Sequence, residues 1–243
     1  MISSTEGKCI AIVPAAGAGT RMGGPTKKQF LRLAGKPILT HTLERLESCP
    51  EIDGVILVVP SEEVLFCREE IVQPFGLQKI LSVLVGGRER QDSVRTGLQA
   101  LPESTTVVVI HDGVRPFAEV PLFRQCIETA RKGVGAVVGL PVVETIKSVG
   151  PKRRVLQTVP RERLWSIQTP QAFPASLLHE AYDRAGREGF YGTDDASLVE
   201  RIGYPVEVLR GSESNIKITS PGDLLMGEVI LKERTDHAHR TGI

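Results

Sequence analysis

A chain of 243 residues, 41% hydrophobic and 24% charged, has the composition of an ordinary globular protein and the length of one large domain. Thirty basic residues against 29 acidic ones leave a formal charge of +1, so no global field favours nucleic acid or an anionic membrane surface, and any anion site must be local. The N-terminal MISSTEGKCIAIV has no targeting pattern and no apolar run approaches the ~18 residues of a membrane span, so a cytoplasmic protein without nucleic-acid or membrane partners is expected.

Short β-branched runs alternate with amphipathic stretches along most of the chain. Cys9–Pro14 reads as a buried strand that runs straight into a glycine-rich turn. Gly54–Val59, Ile80–Val85, Val107–His111 and Gly135–Leu140 read as further strands, apolar on both faces. Between them lie helical patterns at Ser61–Gln73, with Ser61 as N-cap, at Asp92–Leu101 and at Pro121–Lys132. Pro141–Val159 breaks the rhythm: VVETIKSV and RVLQTV flank GPKR, which predicts a hairpin turning at Gly150–Pro151 and an arm over about 141–160. Helices follow at Pro174–Arg187 and Asp195–Ile202, strands at Val206–Leu209 and Ile216–Ile218, and a last helix from Pro221 to about Arg234. The tail 235–243, with His237 and His239, reads as a disordered end rather than a metal site. Cysteines 9, 49, 67 and 126 match neither zinc-ligand nor redox spacing and read as buried reduced thiols.

This pattern predicts one α/β domain over 1–243, a Rossmann-like, mostly parallel sheet with helices on both faces and a projecting hairpin arm. Ligands of such sheets bind beyond the carboxyl ends of the strands, which singles out loops 14–30, 86–92 and 111–117.

The first of these, PAAGAGTRMGGPTKKQF, carries glycines at 17, 19, 23 and 24. Glycines there let backbone N–H groups approach phosphate. The spacing misses the dinucleotide fingerprint, which needs G-x-G-x-x-G, and no Walker A motif is present. Arg21, Lys27 and Lys28 add fixed cations, which suits a triphosphate whose transition state gathers negative charge. Asp112 ends a strand, where an unpaired carboxylate is costly; a divalent cation, Arg115 or backbone amides would each satisfy it. Lys217, between Ile216 and Ile218, needs a reason to be on an apolar strand. Arg88 and Arg90 read as solvated, and Asp194–Asp195 as a helix cap.

PAAGAGTRMG, KQF and GKPIL, followed by GGRERQDSVRTGL, HDGVRPF, TPQAF and SNIKIT, together resemble the 2-C-methyl-D-erythritol 4-phosphate cytidylyltransferase family, collinearly from about residue 8 to 232. The resemblance implies attack of the polyol phosphate on the α-phosphorus of CTP, release of pyrophosphate, and dependence on Mg²⁺ or another divalent cation. It places Arg21 and Lys28 on the triphosphate, with Lys28 chosen over Lys27 because Gln29 follows it directly. It assigns nucleotide contacts to Pro14, Ala15, Ala16, Gly17, Ala18, Gly19, Gly87 and Ser93, and the metal to Asp112. Ser93 is equally explained as the start of a helix. Thr145, Lys147, Arg161, Thr169 and Lys217 match substrate-side positions, Arg115 is counted with the binding residues beside Asp112, and the arm is implied to embrace a second subunit in a homodimer. Gly113 and Val114 stand where the family usually has alanines. Three alternatives are a ribitol 5-phosphate cytidylyltransferase, an NAD-dependent oxidoreductase and a non-catalytic nucleotide-binding domain.

Overall fold

The computed structural model describes residues 7–17 and 27–241, with side chains to residue 236. Ala18, Gly19 and Arg21 lie outside the described residues.

In chain order, β1 (Lys8–Pro14) is followed by the small pair β2 (Arg32–Leu33) and β3 (Lys36–Pro37), then α1 (Ile38–Glu47) and β4 (Gly54–Val59). The next helical stretch holds α2 (Val64–Phe66), and β5 (Ile80–Val85), α3 (Arg90–Gln99), β6 (Thr105–Ile110) and α4 (Val120–Arg131) follow. The second half contains β7 (Gly135–Pro141), β8 (Ile146–Val149), β9 (Val155–Val159), β10 (Trp165–Pro174), α5 (Ala175–Glu188), α6 (Asp195–Arg201), β11 (Val206–Arg210) and α7 (Pro221–Thr241).

Seven strands form the main sheet in the order β11-β7-β10-β6-β1-β4-β5. All neighbours pair in parallel except β10, which runs antiparallel to both β6 and β7. Alternation along β1 sends Cys9, Ala11 and Val13 to one face, against Leu39, Leu43 and Phe123 of α1 and α4. Ile10 and Ile12 go to the other, against Val94 and Leu178 of α3 and α5. Burial on both faces is what makes the strand apolar throughout. The four cysteines are buried and free; burial pushes the Cys67 and Cys126 thiols up to about 12. Among the described residues no helix is long and apolar enough to cross a membrane.

Several expectations need correction. β5 is an edge strand, with Leu81 52% and Val85 51% exposed. The helix expected over 61–73 is broken into a 3₁₀ turn at Ser61–Glu63, α2, and a π-helical segment Cys67–Val72. Ser61 does not cap it, because its hydroxyl donates to Glu62 at 3.1 Å. Helix α3 starts two residues early, at Arg90, because Asp92 returns its carboxylate to the Glu89 N–H at 3.1 Å and closes the first turn. Strand β10 (Trp165–Pro174) lies where the sequence pattern predicts no strand. Its prolines 170 and 174 argue against a central strand, and the ladder to β7 shifts register between Gln168 and Gln171, where Pro170 has no N–H to give. Residues 216–218 form no strand; one bond, Ile218 N–H to Val114 O at 2.9 Å, ties them down. Helix α7 continues to Thr241, since no glycine or proline lies between Gly227 and Gly242. His237 and His239 therefore lie on a helix, not on an irregular tail. The expected hairpin is present: β8 and β9 pair antiparallel about a 3₁₀ turn at Pro151–Arg153.

Candidate active site

The carboxyl ends of β1, β4, β5 and β6 converge on one edge of the sheet. Ala15 N–H donates to Val58 O at 2.7 Å and Gly86 N–H to Val59 O at 2.8 Å, which brings the first loop beside the 86–89 turn. The two approach so closely that a Cβ on Gly86 would stand 2.4 Å from Ala16 Cβ and 2.8 Å from Ser93 Oγ. Ser93 lies within α3, accepts the Gly87 N–H at 3.2 Å and donates to Glu89 O at 3.3 Å, so its hydroxyl shapes the turn. Gln29 anchors the opposite wall by donating to Ala15 O at 2.7 Å. Pro14, Ala15, Ala16, Gly17, Lys28, Gly87, Ser93, Asp112 and Lys217 all border the resulting cavity of about 310 Å³.

Asp112 follows β6, and cations surround its carboxylate. Oδ1 takes Arg90 Nε at 3.2 Å; Oδ2 takes Lys217 Nζ at 2.8 Å and Arg115 Nε at 3.5 Å. Burial alone would raise this acid, but Arg90, then Lys217 and Arg115, hold it far below the usual carboxylate range. Arg115 is itself fixed by a bond from Nη1 to Asn215 O at 2.8 Å. Arg90, read from sequence as solvated, also reaches Asp195 Oδ2 at 2.7 Å. Burial opposes its charge, yet Asp195 and Asp112 more than offset that and raise its pKa. Asp194 caps α6 by accepting the Ser197 N–H at 3.0 Å, as expected, but Asp195 does more than cap.

A hydrogen-bonded chain supports this turn from below. Asp112 N–H donates to Thr169 Oγ1 at 3.0 Å, and Thr169 Oγ1 lies 3.0 Å from His111 Nδ1; because Arg115 O can only accept, the neutral ring carries its proton on Nε2 and the Thr169 hydroxyl donates to Nδ1. His111 is therefore the Nε2–H tautomer, donating to Arg115 O at 3.1 Å. Full burial lowers its pKa to about 4. A second cavity of about 420 Å³ opens on this side and is bordered by Arg115 and Thr169. Arg90, Asp112 and Lys217 border both cavities and form the wall between them.

Other expected residues lie elsewhere. Lys27 is ion-paired with Glu62 and Glu63. On the arm Thr145, Lys147 and Arg161 are exposed and border neither cavity: Lys147 donates to Thr158 at 2.6 Å and Arg161 to Val143 O. Arg90, Asp195 and Tyr182 are additions that sequence reasoning missed. Only the position of Arg90 inside GGRERQDSV hinted at a role; its partner Asp195 is 105 residues away.

A mostly parallel sheet whose strand ends bring together the 14–17 backbone, a lysine and a cation-ringed carboxylate has the arrangement of a nucleotidyltransferase. Residues 9–233 match the family 2-C-methyl-D-erythritol 4-phosphate cytidylyltransferase. The chain is 47% identical over 226 residues to the enzyme of that name from Syntrophus aciditrophicus, covering 93% of this chain and 97% of that one. It is 48% identical over 224 residues to that of Geotalea uraniireducens, covering 91% and 96%. The crystal structure of 4-diphosphocytidyl-2C-methyl-D-erythritol synthase from Anaerococcus prevotii superimposes with a TM-score of 0.82 at 30% identity, covering 93% of this chain and 99% of that one. The chain belongs to the 2-C-methyl-D-erythritol 4-phosphate cytidylyltransferase family.

Proposed function

We propose that this protein transfers the cytidylyl group of CTP to the phosphate of 2-C-methyl-D-erythritol 4-phosphate, releasing pyrophosphate and forming 4-diphosphocytidyl-2-C-methyl-D-erythritol for isoprenoid precursor synthesis. The observation that carries the mechanism is the shared wall. The nucleotide fits the cavity bordered by the 14–17 backbone and Ser93, the polyol phosphate fits the one bordered by Arg115 and Thr169, and Arg90, Asp112 and Lys217 stand between them. A phosphate oxygen of the acceptor attacks the α-phosphorus, and the bond to the β,γ-pyrophosphate breaks. The nucleophile is already ionised at neutral pH, so no general base is required. What the reaction needs is two anions held together and charge stabilised at a crowded phosphorus, and Lys28 and Lys217 supply fixed cations for that. Arg21 belongs to the same reading through its place in the glycine-rich loop.

Among the described residues no group of three acidic, histidine or cysteine side chains could hold a metal alone. Mg²⁺ is usually held by one or two carboxylates together with substrate phosphates. Both Asp112 oxygens already face cations, so a metal arriving with the triphosphate would be held there only by displacing Lys217 or Arg90 from the carboxylate. Bound there, it would screen the charge between donor and acceptor phosphates.

The arm belongs to a two-fold homodimer in this reading. A two-stranded hairpin is marginal alone in water, and Val149, Val155 and Leu156 are 52%, 58% and 68% exposed, which supports cover by a second copy. Thr145 and Arg161 would then serve the partner's site. The near-balanced charge supports an enzyme without nucleic-acid partners, and four buried, free cysteines support a reducing, cytoplasmic setting. Pyrophosphate release over a matrix of nucleotides and polyol phosphates tests the whole assignment. CTP with the methylerythritol phosphate and Mg²⁺ should far exceed UTP, ATP or ribitol 5-phosphate; equal turnover with ATP, or full activity in excess chelator, would overturn it.

A further inference from the structure

Behind the wall between the two cavities lies a carboxylate that the transfer chemistry does not itself call for. Asp195 opens α6 with its side chain 0% exposed. Its backbone is pinned from β10: Gln171 accepts the Ala196 N–H at 3.2 Å and donates to Asp194 Oδ2 at 2.8 Å. Its side chain is oriented from α5, where the buried Tyr182 hydroxyl donates to Oδ1 at 2.5 Å. The remaining oxygen, Oδ2, faces Arg90.

A buried ion costs several kcal/mol of desolvation, so a carboxylate held this firmly has to be matched by what it organises. An arginine beside a single carboxylate tends to grip it with two parallel N–H bonds. Arg90 does not grip Asp112 that way. Its guanidinium is split, with the shorter contact, 2.7 Å, to Asp195 and the longer, 3.2 Å, to Asp112. Asp195 thereby draws Arg90 back across the wall and keeps it from closing over the Asp112 carboxylate. Three cations, Arg90, Arg115 and Lys217, then face two carboxylates, Asp112 and Asp195, and the cluster keeps one positive charge for incoming phosphate.

We propose that Asp195, oriented by the Tyr182 hydroxyl, is a positioning residue for cytidylyl transfer: it holds Arg90 split across the wall between the two cavities and, through Arg90, sets the Asp112 carboxylate. The proposal rests on the transfer reading above. It gives a residue pair 105 positions apart, and a tyrosine outside both cavities, a part in the reaction.

The test is pyrophosphate release from CTP and 2-C-methyl-D-erythritol 4-phosphate, with melting temperatures, for the wild type, Asp195→Asn, Tyr182→Phe, Arg90→Ala and the double variant Arg90→Ala/Asp195→Asn. Asp195→Asn should lower kcat about 10²-fold, the scale of a small misplacement at a reacting centre, and KM for CTP much less. Tyr182→Phe should lower kcat about 10-fold while staying folded. If Asp195 acts through Arg90, the double variant is no slower than Arg90→Ala, yet it melts higher, because the carboxylate stranded by Arg90→Ala has been neutralised. Wild-type-like turnover of folded Asp195→Asn, or of Tyr182→Phe should Asp195→Asn fail to fold, overturns the proposal. So does an additive loss of activity in the double variant. Wild-type turnover is the arm that tests the transfer reading; the melting-temperature cycle tests the Asp195–Arg90 link without reference to activity.

Discussion

Lys27 turns its ammonium onto Glu62 and Glu63, whereas Lys28, the next residue, borders the cavity at the end of β1. The divergence follows from the 3₁₀ turn Lys28–Phe30, which begins between them and carries Gln29 inward to Ala15.

Lys28→Ala should therefore lower kcat by ~10²–10³, with a smaller effect on CTP affinity, if the lysine acts mainly on charge that develops in the transition state. Lys27→Ala should remain within a few-fold of wild type, as expected for loss of a largely surface ion pair. Steady-state kinetics on both variants decides it; the reverse pattern would transfer the role to Lys27.

Asp112→Asn tests how much of the cation ring depends on one charge. Arg115 and Asp112 are 10% and 8% exposed at the side chain, so neutralising the acid leaves a buried guanidinium poorly compensated. The loss of stability should be about 3 kcal/mol by urea titration, alongside loss of turnover. An unchanged denaturation midpoint would mean that Asn215 O alone suffices for Arg115.

His111 gives the fold a pH dependence whose sign is fixed. Its pKa falls from the usual 6.5 to about 4 because the ring is fully buried, so the unfolded chain takes up the proton first. The stability conferred by the neutral ring is complete above about pH 6.5 and is lost as pH falls towards 4, at most about 3 kcal/mol. Denaturant titrations between pH 7 and 4.5 should show this slope in the wild type, and a shallower one in His111→Gln. Equal slopes in the two proteins would remove His111 as the cause.

The arm makes a prediction about mixed assemblies. If Arg161 serves the partner's site, Arg161→Ala and Lys28→Ala are each nearly inactive as pure dimers. Unfolding and reassembling an equal mixture makes half the dimers mixed, each with one intact site, so activity should return to about a quarter of wild type. A mixture as inactive as its components, despite demonstrated exchange, would place Arg161 in cis or outside the reaction.

The legible parts of this protein are those written locally. β1, the hairpin with its Gly150 turn, and the Asp194 cap each depend on neighbours in sequence. β10 was hidden because its two prolines and its polar Gln168, Thr169 and Gln171 look like a loop until β6 and β7 are seen on either side. Arg90 is illegible for a similar reason: in sequence it sits among charged residues, and only the fold brings Asp195 beneath it. Lys217 is out of place on an apolar stretch in sequence, and the pull of Asp112 accounts for it.

β10 also works as a ruler. At one end Trp165 and Ser166 pair with Pro141 and Leu140 at the root of the arm; Thr169 holds the Asp112 turn in the middle; Phe173 and Pro174 pair with β6 at the far end. Because a strand advances about 3.3 Å per residue and flips faces with each step, a single deletion within it would shorten the reach of the arm and turn Thr169 away from His111 together. The spacing from arm to catalytic turn is thus inherited from one unbranched piece of backbone. Changes in length are tolerable in the arm before Trp165 and intolerable from Trp165 to Pro174, so insertions and deletions compatible with activity should collect at the Pro151–Arg153 tip and be absent from the ten residues of the strand.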